Sequence, residues 1–176
     1  IENVRLFTEL QASNRELTTA LDTQTATSDI LRVISRSQTD VQPVFDAIVA
    51  SAVRLLRGYS GALTRVAADQ IELSALTSAD AAGNAPLRGS FPRPLHSEGT
   101  HARAVRDRAP INIVDYDIDP RVSEASRATA RALGYRSVVA VPLLRHDEAV
   151  GAIGVSRREP GGFARDGVTF DRESVG

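Results

Sequence analysis

The sequence predicts an α+β domain carried behind a long N-terminal helix, and three observations predict it. Residues 1–38 contain neither glycine nor proline, so nothing in them interrupts a helix. Residues 41–58 place apolar side chains at helical spacing. From Tyr59 onward the period changes to short alternating apolar runs split by turn residues, the pattern of antiparallel hairpins. At 176 residues the chain has room for one ordinary domain plus an extension.

The first helix is too long and too polar to be buried in one globule, and reads as a projecting element. Heptad position a falls on Phe7, Asn14, Leu21 and Ser28, and position d on Leu10, Leu17, Gln24 and Leu31. The seam is apolar early and weakens later. Phe7, Leu10, Asn14, Leu17 and Leu21 are therefore the candidate dimer contacts. Asn14 can pair with its mate across a two-stranded parallel coil, fixing register at a cost in stability; the alternative is that it faces solvent on a single helix. The threonine-rich stretch 22–28 is made of mediocre helix formers and is the expected weak point.

Asp40 stands where an N-cap precedes the second helix, with Pro43 tolerated in the first turn and Gly58 as the stop. Val41, Val44, Phe45, Ile48, Val49, Ala52, Val53, Leu55 and Leu56 recur at helical spacing, so this helix should lie on a sheet. Residues 59–67 and 71–78 are expected to pair about the turn at Ala68, Asp69 and Gln70. Residues 78–98 are rich in glycine and proline and read as a long loop with a short extended piece at 91–95. Long loops in compact domains often carry function. A short helix over 100–108, a strand over 111–114 and a helix over 120–133 ended by Gly134 follow. Two strongly apolar runs, joined by the charged turn 145–148, should form a central hairpin covered on both faces. The glycine-rich tail after residue 163 has no clear period, and disorder and a partial helix are both open.

Composition narrows the chemistry. No cysteine means no disulfide, thiolate metal site, cysteine nucleophile or thioether-linked chromophore. With 21 basic and 22 acidic residues the net charge of −1 gives no field to gather nucleic acid or an anionic membrane. No apolar run approaches the roughly 20 residues that cross a bilayer, and residues 1–20 lack the layout of a signal peptide. A cytoplasmic setting is expected. The missing methionine and the start already in helical register read as a piece of a longer protein, whose anchoring or targeting segments can lie outside it.

Asp115, Asp117 and Asp119 have the one-three-five spacing that opens a calcium loop. Pro120 and Ser126 then replace the required glycine and glutamate, so these aspartates read as turn residues and no metal is expected. His96, His101 and His146 lack metal-ligand spacing and read as solvated. There is no phosphate-cradling GxxxxGK[ST] and no GxSxG elbow, and Gly151 and Gly154 within a strand mark close packing. An enzyme would need Asp115 and His101 to converge, which their spacing does not require. Phe91, Thr100, Arg103, Asp115, Tyr116 and Tyr135 combine apolar lining with a few polar groups, as a small-ligand pocket needs. A core and surface with no physiological ligand is the competing reading.

The segments TATSDILRVISRSQTDVQPVFDAIVASAVRLL, APINIVDYDIDPR and GYRSVVAVPLLRHDEAVGAIGVSRR, in this order, resemble the GAF domain. In particular they are similar to the GAF modules of alphaproteobacterial sensor histidine kinases and related cyclases. The resemblance covers about residues 25 to 163, and the opening IENVRLFTELQ resembles the exit helix of a preceding GAF module. Past Phe163 the family continues into a long amphipathic helix, whereas this sequence ends at Gly176. The resemblance implies an antiparallel sheet of about six strands with helices on its faces. The domains it implies are a signalling helix (1–38), a sensory domain (39–163) and a tail (164–176). It further implies a non-catalytic regulatory module that binds an unknown small molecule or partner and dimerises through its helices. The signal would pass to an output domain in the same chain, a histidine kinase being the first expectation. No cofactor is identified. Covalent bilin attachment lacks its cysteine, and the asparagine-lysine, phenylalanine and aspartate-glutamate constellation of cyclic-nucleotide GAF domains is not found. A ligand-free dimerisation and spacer module is the alternative.

Overall fold

The chain is described here by a computed structural model covering residues 2–36, 40–78 and 84–163. The 164–176 tail, residues 79–83 of the expected loop, and the side chains of Phe7 and Leu10 lie outside the described residues.

Helix α1 (Glu2–Arg36) runs uninterrupted through the threonine-rich stretch, a length of about 50 Å at 1.5 Å per residue. The hydroxyls of Thr18 and Thr19 before the stretch, and of Thr23 and Thr27 within it, each donate to the carbonyl four residues back. Asn14 is exposed, as are Leu17 and Leu21 at 59% and 61%. Farther along, Ala26 is buried and Asp29 pairs with Arg54 at 3.7 Å, where α1 packs on helix α2 (Gln42–Leu55). The cap of α2 differs by one residue from expectation: Val41 occupies the N-cap, while the Asp40 carboxylate accepts from the Gln42 N–H at 2.9 Å.

The sheet has six strands, all paired antiparallel: β1 (Ser60–Ala67), β2 (Gln70–Ser78), β3 (Arg93–Pro94), β4 (Ile111–Ile113), β5 (Ser137–Arg145) and β6 (Glu148–Arg157). Their order is β3-β2-β1-β6-β5-β4, so the last strand lies at the centre beside the first. The β5–β6 turn places His146 and Asp147 at φ of 49° and 65°, both left-handed, which matches the twist of a tight hairpin. Gly151 is required where β6 crosses β1: a Cβ there would lie 2.1 Å from the Thr64 carbonyl oxygen. The expected 78–98 loop is less irregular than its composition implied. It contains helix α3 (Asn84–Gly89) and the edge strand β3, whose Pro94 needs no ladder donor at an edge.

Alternation along each strand serves two faces. Toward α2 point Leu63, Ala75, Val139, Ile153 and Val155, which bury Phe45, Ile48, Val49 and Val53. Toward helices α4 (Thr100–Asp107) and α5 (Glu124–Leu133) point Ala62, Val138, Ala140 and Ala152. A bulge at Ser74 resets the alternation of β2, since Leu63 pairs with Ala75 while Thr64 pairs with Leu73. Ile71 and Leu76, five positions apart, can therefore share the α4 face. The carbonyl of Ser74 accepts from the Gln42 side chain at 2.8 Å, which ties the bulge to the start of α2. No described helix is long and apolar enough to cross a membrane.

Candidate functional site

On the α4 face the small residues Ala62 and Gly154 leave the sheet floor low, and a cavity of about 280 Å³ opens above it. Residues 87–93 of the α3–β3 segment and the first half of α5 form its roof, and the N-terminus of α4 forms one wall.

His101, in the first turn of α4, lies against the floor. Its Nε2 is 3.3 Å from the Ala62 carbonyl, an atom that can only accept, so Nε2 carries the proton. A Cβ on Gly154 would come within 2.6 Å of the ring, which is why the floor needs glycine there. Burial holds the His101 pKa below 6.5 against the raising effect of the Ala62 hydrogen bond, and the Arg93 charge lowers it further. The expectation of a solvated side chain is thus overturned for His101, whereas His96 and His146 are exposed. A signal was present: Ala104 and Val105, at i+3 and i+4 from His101, are buried, so the histidine belongs to the inward stripe of the helix.

Tyr116 and Tyr135 meet edge to face, with ring centroids 5.3 Å apart and planes at 87°. The Tyr116 hydroxyl donates to Thr100 Oγ1 at 3.5 Å. Burial raises the pKa of both phenols, so they stay protonated. Arg93 of β3 also lines the cavity; it donates to the Glu98 carbonyl at 2.7 Å and sits over Gly99, whose Cβ would be 3.3 Å from its guanidinium.

Of the pocket residues expected from sequence, Phe91, Thr100, Tyr116 and Tyr135 line this cavity and Arg103 and Asp115 do not. Arg103 pairs with Asp107 one turn on, at 3.3 Å. Asp115 is buried and grips Arg136 at 2.6 Å, while also accepting from the Asp117 N–H. Asp117 pairs with Arg131 at 3.0 Å and Asp119 with Arg121 at 2.6 Å. The hydrogen bond from Arg121 keeps Asp119 below the usual carboxylate range. Arg127 of α5 donates to the carbonyls of Tyr116 and Asp119, both at 3.0 Å. The aspartate-rich loop is thus an arginine-clasped strap that holds Tyr116 in the wall. Among the described residues no cluster of His, Asp or Glu could hold a metal ion. Asp115 bonds to Arg136 and His101 to Ala62, and among the described residues no hydrogen bond joins Asp115 to His101.

A family profile described as the GAF domain matches residues 40–174. Among solved structures, the chain is similar to the GAF domain of a phosphoenolpyruvate-protein phosphotransferase from Coxiella burnetii (14% identity, TM-score 0.64, covering 84% of this chain and 82% of that one). It is also similar to free methionine-R-sulfoxide reductase from Neisseria meningitidis, solved with its substrate (16% identity, TM-score 0.62, 84% and 79% covered). A third likeness is to a domain ascribed to a two-component sensor histidine kinase protein from Sinorhizobium meliloti (15% identity, TM-score 0.56, 72% and 79% covered). At these identities the likeness establishes the fold. Comparison with curated protein sequences returned no match.

Proposed function

We propose, from the premise that this chain belongs to the GAF domain family, that it is a non-catalytic sensory module that binds a small molecule and relays its occupancy through helices to an output domain. One observation carries this reading. The sheet face away from α2 holds a partly open cavity with mainly apolar walls and a few fixed polar groups, as a ligand site requires. The likeness to a sensor histidine kinase domain supports a kinase as the output. Although one structural neighbour is a sulfoxide reductase, this chain has no cysteine, so it has no thiol with which to reduce a substrate.

The route runs through the sheet. A ligand bearing on the roof and on Tyr116 loads the strands, α2 lies across their other side, and α1 is joined to α2 at Ala26 and through the Asp29–Arg54 pair. A differential affinity of about 1–3 kcal/mol between two helix arrangements is enough for such coupling. Leu17 and Leu21, exposed on one side of α1, are the surface through which two copies would pair.

Light scattering over a concentration range tests the relay. The parent should be a dimer, and Asn14→Leu should change its oligomeric state; two monomeric proteins at high concentration would overturn dimerisation by α1. The exposed leucines equally favour a ligand-free spacer. Thermal melts against a small-molecule library separate the two, because only a ligand-binding domain gains melting temperature with ligand concentration.

A further inference from the structure

We propose that the cavity takes a small monocarboxylate with an apolar body, its carboxylate meeting Arg93 over the first turn of α4. This rests on the ligand-binding reading above and adds the chemical class. The cation is available. Among the described residues Arg93 forms no ion pair, and its guanidinium has one acceptor, the Glu98 carbonyl, which leaves most of its five donors for a ligand. Directly beneath it, α4 begins at Gly99 with no side-chain cap, and Thr100, His101 and Ala102 of its first turn line the cavity. Amides at an uncapped helix start favour an anion. The guanidinium and the amides thus converge on one end of a single cavity.

No lining group competes for that end. Glu98 is the one acidic residue of the lining; it is exposed and forms no ion pair with Arg93 among the described residues. The acids of the neighbouring strap are already engaged: Asp115 by Arg136, Asp117 by Arg131, Asp119 by Arg121. His101 spends its Nε2 proton on Ala62, and the two tyrosines stay neutral. One guanidinium suits one carboxylate, whereas a phosphate dianion asks for more cationic donors than the lining supplies. The rest of the wall, Ile71, Leu76, Leu87, Phe91 and Val138, asks for carbon. A volume of about 280 Å³ equals roughly nine liquid waters at about 30 Å³ each, which is room for a body the size of a benzene ring or a branched alkyl chain.

The test uses benzoate, benzamide and benzylamine, three probes of similar size and three charge states, titrated calorimetrically into the wild-type chain, Arg93→Gln and Arg93→Lys. Amide chemical shifts on the wild type locate the binding. We expect benzoate to bind at least tenfold more tightly than benzamide and to perturb residues 98–102. Arg93→Gln should weaken benzoate far more than benzamide and so remove that preference, and Arg93→Lys should keep part of it. Equal binding of benzamide or benzylamine at residues 98–102 would overturn the carboxylate class and leave the ligand-binding reading standing. If neither these probes nor a broad library shifts any cavity amide, both fall together.

Discussion

The two faces of the sheet are built from the same strands and come out opposite. Under α2, Leu63, Val139, Ile153 and Val155 meet Val49 and Val53, and the layer is closed. Under α4 the neighbouring positions Ala62 and Gly154 are small, and the space they leave is bounded by the strap and roof. Both faces use a glycine for close approach: Gly61 lets α2 down, a Cβ there meeting Val53 at 2.6 Å, and Gly154 admits His101. The lesson is that side-chain volume along alternate positions decides where the α4 face closes into core, at Val138, Ala140 and Ala152, and where it opens into a cavity, at Ala62 and Gly154; the ladder itself is indifferent.

The largest effect should come from damaging what the faces share. Gly151→Ala sets a Cβ against the Thr64 backbone, which cannot yield without opening the β1–β6 ladder, so we expect a loss of more than about 4 kcal/mol or failure to fold. In Gly154→Ala the clash is with a side chain, and urea unfolding should read about 1–3 kcal/mol as His101 is pushed into the cavity. Next comes a direct contrast of the faces. Leu63→Ala, in the closed layer, should cost about 2–5 kcal/mol, and Leu76→Ala, on the cavity wall, about half as much because its side chain already borders open space. Equal losses would mean that the cavity wall is packed as tightly as the core.

The smallest effect is electrostatic. The folded pKa of His101 lies below its unfolded value of about 6.5, so below that value the unfolded chain binds the extra proton. The histidine's contribution is therefore complete above about pH 6.5 and is lost as the pH falls through the folded value. Unfolding free energy measured from pH 7.5 to 5 should decline in the wild type and decline less in His101→Gln; parallel curves would mean that the imidazole titrates freely in the fold.

Most of the fold was legible because its signals are local. Period and turn residues located both main hairpins, Gly134 ended α5 in a left-handed cap at φ 73°, and the strand glycines were read as close packing. The bulge at Ser74 was not legible, since a one-residue reset looks like ordinary alternation within so short a run. In the cavity, the aromatics and Thr100 were named from composition, while Arg93 was passed over and His101 was read as solvated. Arg93 acts from a two-residue strand with no period to detect, and the burial of His101 depends on Gly154, two strands away in sequence. Arg103 attracted notice as a nearby cation, yet it lies about 200° around the helix from His101 and pairs outside the lining.

One feature of the topology bears on the birth of the chain. Because β6 sits between β1 and β5, a ribosome that has released residues 1–147 has released two incomplete sheets, β3-β2-β1 and β5-β4, each with a bare margin of donors and acceptors. The last hairpin strand closes both at once, through contacts such as Thr64 to Ala152 that span 88 residues. The nascent protein must wait for that strand, with its cavity floor unformed and its stickiest margins uncovered, which makes the span before residue 148 the interval in which a chaperone would matter most.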